Sequence, residues 1–184
     1  MNLKYMLAVC LLLFKLQIFA QSDCFNKVEI KQLGVEFCLP DLEWKIEEED
    51  GLKLMSIHKS GLYRGTSVYT LRTEKISEDL SSLQYFEKDN LQTGSDYTQK
   101  IIKRGTKKIN GKEFYFAKAH TIYKSNGTLK NAYTLTYYFC KDKIGYALSY
   151  VVDDENKNMW KEKEALKVWE SFRIVSQPEN GVLD

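Results

Sequence analysis

Two histidines, His58 and His120, are the only imidazoles in the 184-residue chain, and neither has a second histidine or a cysteine at metal-ligand spacing. No HExxH or CxxC pattern occurs, no GxSxG elbow presents a serine, and no glycine-rich loop is built to cradle phosphate. Isolated histidines are usually structural or solvated, so neither is given a role. Glu47-Glu48-Glu49-Asp50 gathers four carboxylates at a turn, a chemistry that calcium takes. The spacing is not that of a loop-type calcium site, and a solvated charge run is the reading adopted. No catalytic residue, metal or cofactor is expected, and a hydrolase is a less favoured reading than a binding protein or a ligand carrier.

The basic residues say more. Lys100, Lys103, Arg104, Lys107, Lys108 and Lys112 follow one another with no acid between them, in a chain whose charges otherwise balance. Such a patch can dock an acidic partner or an anionic lipid head group. The plainer reading is a solvated sheet edge, where lysines block unwanted strand pairing. Tyr115, Tyr123, Tyr133, Tyr137, Tyr138, Tyr146 and Tyr150 crowd one part of the chain. Exposed tyrosines make good binding surface, but most of these are expected to pack under helices. Alternation places Tyr133 and Tyr137 on one face of their strand and Tyr138 on the other. Asn126-Gly127-Thr128 matches a glycosylation acceptor, although a turn already explains Asn-Gly.

Lys4, the apolar run Tyr5 to Phe14 and the small Ala20 before a polar sequence have the order of a secretory signal peptide. The run is broken by Lys15 well short of the roughly 20 apolar residues of a spanning helix, so no transmembrane anchor is expected. Neither Cys10 nor Cys24 has the surroundings of a lipidation site. Without residues 1–20, which hold Lys4 and Lys15 and no acid, 25 basic residues face 25 acidic ones. That neutrality argues against nucleic acid as a partner. Residues 21–184 are expected to form a single domain, periplasmic, envelope-associated or secreted. Its cysteines are Cys24, Cys38 and Cys140. Cys24–Cys38 would close a short loop across a hairpin and is the preferred bridge; Cys38–Cys140 and three free thiols stay open.

Strands are read at Phe25 to Lys31, Val35 to Leu39, Trp44 to Glu48, Leu52 to His58 and Ser67 to Thr73, with an Asp50-Gly51 hairpin turn. A helix is expected from a capping Ser77, burying Leu80, Leu83, Phe86 and Leu91 and stopping at Gly94. Tyr97 to Lys103 returns to strand. Glu113 to Lys124, Thr128 to Phe139 and Ile144 to Val152 then form a meander, with turns at Asn110-Gly111, Asn126-Gly127 and Lys141-Asp142-Lys143. A last helix is expected from an Asp153-Asp154 cap to Phe172, burying Met159, Ala165, Leu166, Trp169 and Phe172 with Glu162 as an interruption. These elements make an α+β fold: a central antiparallel sheet of about six or more strands, rich in hairpins, with helices on its faces.

This order resembles the PsbP-like family, with its relatives the Ran-binding nuclear-import factor and the DcrB-like envelope proteins. Val35-Glu36-Phe37-Cys38-Leu39-Pro40 with Trp44-Lys45 is similar to the family's opening strand and turn. Ser77 to Leu91 is similar to its helix, Ile109-Asn110-Gly111 to its mid-chain turn, and Ile144 to Tyr150 to its penultimate strand. Trp169-Glu170-Ser171-Phe172-Arg173 is similar to its closing motif, so the likeness spans about residues 28 to 175. It implies an antiparallel sheet between helices and an accessory or binding role, and it carries over no functional residue. The expected function is therefore a non-enzymatic exported protein of the cell envelope that binds another macromolecule, with the basic stretch as its docking patch. The alternative is a carrier of a small apolar or lipid ligand.

Overall fold

The computed structural model describes Cys24 and residues 26–48, 53–59, 67–91, 97–125, 128–154, 156 and 160–176. Residues 1–20, the Asp50-Gly51 and Asn126-Gly127 turns, Gly94 and Met159 lie outside the described residues.

Among the described residues, alternation of apolar and polar residues builds ten strands, and they separate into two sheets. In the smaller sheet β1 (Asn26–Ile30) pairs antiparallel with β2 (Val35–Leu39), which also pairs with the two-residue β10 (Arg173–Ile174). A 3-10 turn over Lys31–Leu33 links β1 to β2 and ends at Gly34, whose φ is 60°. That left-handed backbone suits glycine. A Cβ there would also lie 2.3 Å from the Ser176 carbonyl oxygen, so the position excludes a side chain twice over.

The larger sheet contains β3 (Trp44–Glu48), β4 (Leu54–Lys59), β5 (Ser67–Lys75), β6 (Tyr97–Ile109), β7 (Lys112–Ser125), β8 (Thr128–Lys141) and β9 (Ile144–Asp153). Their spatial order is β3-β4-β5-β9-β8-β7-β6, antiparallel throughout. Two of the tight turns have positive φ at both central residues, Asn110 (51°) with Gly111 (77°) and Asp142 (54°) with Lys143 (60°). Such turns match the right-handed twist of the flanking strands.

Among the described residues, each face of this sheet carries one α-helix. On one face α1 (Ser82–Leu91) buries Tyr85 and Phe86 against Tyr115, Ala117, Tyr138 and Ala147. On the other, α2 (Glu162–Ser171) and the small sheet close over Tyr69, Leu71, Leu135, Tyr137, Leu148 and Val152. The central sheet with a helix on each side follows the expected layout, and the second sheet is an addition to the expected single one.

Both helices start later than expected. For α1 the cap is Ser81 and not Ser77: Gln84 N–H donates to Ser81 Oγ at 3.2 Å, and Ser81 N–H donates to Gln84 Oε1 at 2.8 Å. This reciprocal pair satisfies two otherwise orphaned donors, which Ser77 with Glu78 and Asp79 cannot do from outside the helix. The shift turns the wheel. Tyr85 occupies the buried arc and Leu83 is 42% exposed. Asp153 ends β9 and does not cap α2; Glu162, expected as a break in the stripe, lies on the exposed side. The buried stripe is Ala165, Val168, Trp169 and Phe172.

Cys24 and Cys38 are joined by a disulfide with Cα atoms 5.4 Å apart, while Cys140 is a free thiol. The bridge ties the chain ahead of β1 onto β2, and Cys38 N–H donates to Ser171 Oγ at the end of α2. A closed loop of about 15 residues is worth roughly 3 kcal/mol. Replacing both cysteines by serine should lower the urea-unfolding free energy by about that amount. An unchanged midpoint would show that the bridge constrains nothing.

Candidate functional site

The six basic residues singled out in the sequence fall on two strands. β6 extends six residues beyond its expected end at Lys103, so Lys100, Lys103, Arg104, Lys107 and Lys108 all belong to one strand. That strand is the last of the large sheet, with β7 as its only strand neighbour among the described residues. Lys112 opens β7 and departs from the group. Its ammonium lies 5.5 Å from the Phe139 ring centroid, and burial, with Lys141 and Arg173 adding, holds its pKa below the ordinary lysine value.

Alternation then divides the five. Lys107 is in register with Phe114, Lys103 with Lys118 and Lys100 with His120, on the face that carries α2. Arg104 faces Ala117 and Lys108 faces Glu113, on the α1 side. A bulge between Ile101 and Lys103 keeps these two faces consistent: the inserted Ile102 is 53% exposed and has no register partner.

On the α2 side the basic charge is partly answered from within. Lys118 Nζ donates to Glu162 Oε2 at 2.7 Å, and Lys107 Nζ lies 3.6 Å from Glu170 Oε1. The Lys118 hydrogen bond holds the Glu162 carboxyl below the usual carboxylate range, against burial, with Trp160 and Lys103 assisting. The Lys118 ammonium also sits 5.1 Å from the Trp160 ring centroid. Both ion pairs are solvent-exposed and add little stability; their effect is to draw charge from that face. No ion pair involving Arg104 or Lys108 occurs among the described residues, and both are exposed.

The other candidate residues do not assemble. His58 in β4 and His120 in β7 are separated by three strands, which at ordinary spacing puts their backbones roughly 19 Å apart. The His120 ring lies 5.1 Å from Tyr133, and its Nε2 is buried without a hydrogen bond. Glu47 and Glu48 end β3 pointing to opposite faces by alternation, and Glu49 and Asp50 lie outside the described residues. Among the described residues, no three His, Cys, Asp or Glu side chains group closely enough to hold a metal ion. The Cys140 thiol is pushed up to about 12, by burial first and Glu74 second, which disfavours its thiolate at neutral pH.

An aromatic cluster escaped the sequence reading. Trp160 lies 5.1 Å from Tyr150 and 6.3 Å from Tyr133, beside Lys118 at the start of α2. Trp160 is outside both helix and strand, so no periodicity flagged it. Its contact with Lys118 joins segments far apart in the chain, so no local signal marked it.

No family model and no curated protein matches the sequence. Solved structures do match by fold. The chain is similar to the cyanobacterial PsbP of Synechocystis sp. PCC 6803, with a TM-score of 0.59 and 11% identity over 84% of this chain and 95% of that one. It is also similar to a protein of Bacteroides thetaiotaomicron, with a TM-score of 0.54 and 13% identity over 82% of this chain. The chain spans about half, 48%, of that protein's length. At these identities the likeness is one of fold, and the fold is PsbP-like. No described helix is long and apolar enough to cross a membrane.

Proposed function

We propose that this protein is an exported, non-enzymatic accessory protein of the cell envelope that binds an acidic partner protein along the basic edge of its large sheet. The observation that carries the reading is β6 itself. It is an outermost strand of 13 residues with five bases, no acid, and solvent access at Lys100, Lys103, Arg104 and Lys108. A row of like charge at a sheet edge raises the association rate of an oppositely charged partner and sets its orientation. Export is supported by the order of residues 1–20 and by the Cys24–Cys38 bridge, which belongs in an oxidising compartment. The separation of the two histidines and the raised Cys140 thiol support a role without catalysis.

The test is retention of partners from an envelope extract of the source cells by immobilised protein. A specific protein should be captured, and it should be lost when Lys103, Arg104, Lys107 and Lys108 are all changed to Glu. Because Lys107→Glu would face Glu170, the pair Arg104→Glu with Lys108→Glu serves as the variant that leaves the α2 contacts intact. Capture that ignores these changes would show that the partner binds elsewhere, and no specific capture would leave the reading without support.

A further inference from the structure

We infer that the partner binds by strand addition: an acidic, extended segment of another protein pairs with the outer edge of β6 and becomes the next strand of the large sheet. This rests on the reading of β6 as the docking edge and states how that edge is used. In an antiparallel pair every second residue turns its N–H and C=O away from its neighbour. Since β7 lies on one side only, the outer row of β6 has no strand partner among the described residues. From Lys103 to Ile109 the register with β7 runs without a break, so seven residues present a regular ladder about 23 Å long. The bulge at Ile102 ends that ladder on one side and the Asn110-Gly111 turn ends it on the other.

The charges on this segment select the occupant. Lys103 and Lys107 project to the α2 face, Arg104 and Lys108 to the α1 face, so an incoming strand meets bases on both of its sides. Opposite charges across a strand pair attract and like charges repel. A second β6 would bring base against base, so these residues exclude self-pairing at that edge. The opposite edge of the sheet, β3, is also a poor occupant: its five residues offer Glu47 and Glu48 together with Lys45. A strand with two pairs of adjacent acids places a carboxylate beside each of the four bases, of which Lys107 already has Glu170. That chemistry belongs to another protein.

The probe is a fluorescein-labelled synthetic peptide with two Glu-Glu pairs set between threonine and valine. A control peptide keeps every acid and replaces threonine and valine by proline, which removes the N–H donors at those positions and interrupts the ladder while keeping the charge. Anisotropy titration should show the first peptide binding, and the control binding at least about tenfold more weakly. The Arg104→Glu with Lys108→Glu variant should weaken the first peptide by a similar factor. Hydrogen exchange should show new protection on β6 amides between Lys103 and Ile109. Equal binding of the two peptides without new protection would overturn strand addition while leaving the basic edge as a charged docking patch. If neither peptide binds and the captured partner is also indifferent to the charge changes, both readings fall. Concentration-dependent oligomers of the protein alone, abolished by Glu47→Lys with Glu48→Lys, would assign the edge to a second copy instead.

Discussion

Trp169→Ala is expected to destabilise the protein by about 3–5 kcal/mol, the range for truncating a fully buried aromatic side chain. Trp169 lies on α2, has no solvent exposure, and its ring centroid is 5.5 Å from Tyr69 and 6.3 Å from Phe37. It therefore touches all three parts that meet on that face: helix, small sheet and large sheet. Truncation leaves a cavity bounded by strands that cannot collapse without breaking their ladders. The loss approaches the whole stability of an ordinary domain, so the variant is expected to unfold at much lower urea or to fail to fold. Trp169→Phe is the informative companion. It keeps an aromatic ring against Tyr69 and removes an indole N–H that is buried without a hydrogen-bond partner. It should cost far less than the alanine variant. Equal losses for the two, measured by urea unfolding, would show that the contact with Tyr69 does not hold α2 in place.

The second large effect is expected at Gly145. This glycine pairs with Cys140 across the β8–β9 hairpin, on the face covered by α1. A Cβ at this position would lie 2.5 Å from Tyr85 Cζ and 2.9 Å from its hydroxyl oxygen. Tyr85 is fully buried and packs edge-on against Tyr138 at 5.8 Å, so its ring has no free space to move into. Its hydroxyl also sits beside the Arg72 guanidinium, which pairs with Asp89 of the same helix. Alanine is intrinsically the better strand residue by up to about 1 kcal/mol, but overpacking costs about 1–3 kcal/mol, and the clash is with a clamped ring. Gly145→Ala should therefore be net destabilising by about 2 kcal/mol, chiefly by lifting α1 from the sheet. Tyr85→Leu relieves the clash, so its own cost should shrink in the Gly145→Ala background. Thermal unfolding of both single variants and the double variant makes the test. Additive losses would mean that the two residues do not press on each other.

The residues at these positions differ in how far the sequence revealed them. Trp169 was placed in the buried stripe of the last helix from periodicity alone, because a 3.6-residue repeat reports a buried face without reference to what covers it. Tyr85 and Gly145 were not paired by any sequence signal, since 60 residues separate them and only the sheet order brings α1 over β9. The helix starts were misplaced for a local reason. Ser77-Glu78-Asp79 and Asp153-Asp154 both have the composition of a cap, yet the Ser81–Gln84 exchange and the continuation of β9 through Asp153 took precedence.

The same division holds for the candidate site. Six bases without an acid were visible as a run; five of them lie on β6, the last strand of the large sheet, and Lys112 lies on its inner neighbour β7. Alternation separates Lys103 and Lys107 from Arg104 and Lys108, but the side taken by Lys100 was not visible, because the bulge at Ile102 moves it to the face of Lys103, and bulges have no strong sequence mark. Nor could a run of residues show that Lys107 and Lys118 are answered by Glu170 and Glu162, which are distant in sequence. By itself the sequence determined the α+β class, most strand positions and the composition of the edge, since these depend on short-range periodicity and turn chemistry. Only the tertiary structure decided which strand lies outermost, which bases stay unanswered and which rings touch. Those outcomes depend on contacts between segments far apart in the chain, and local propensity holds no record of them.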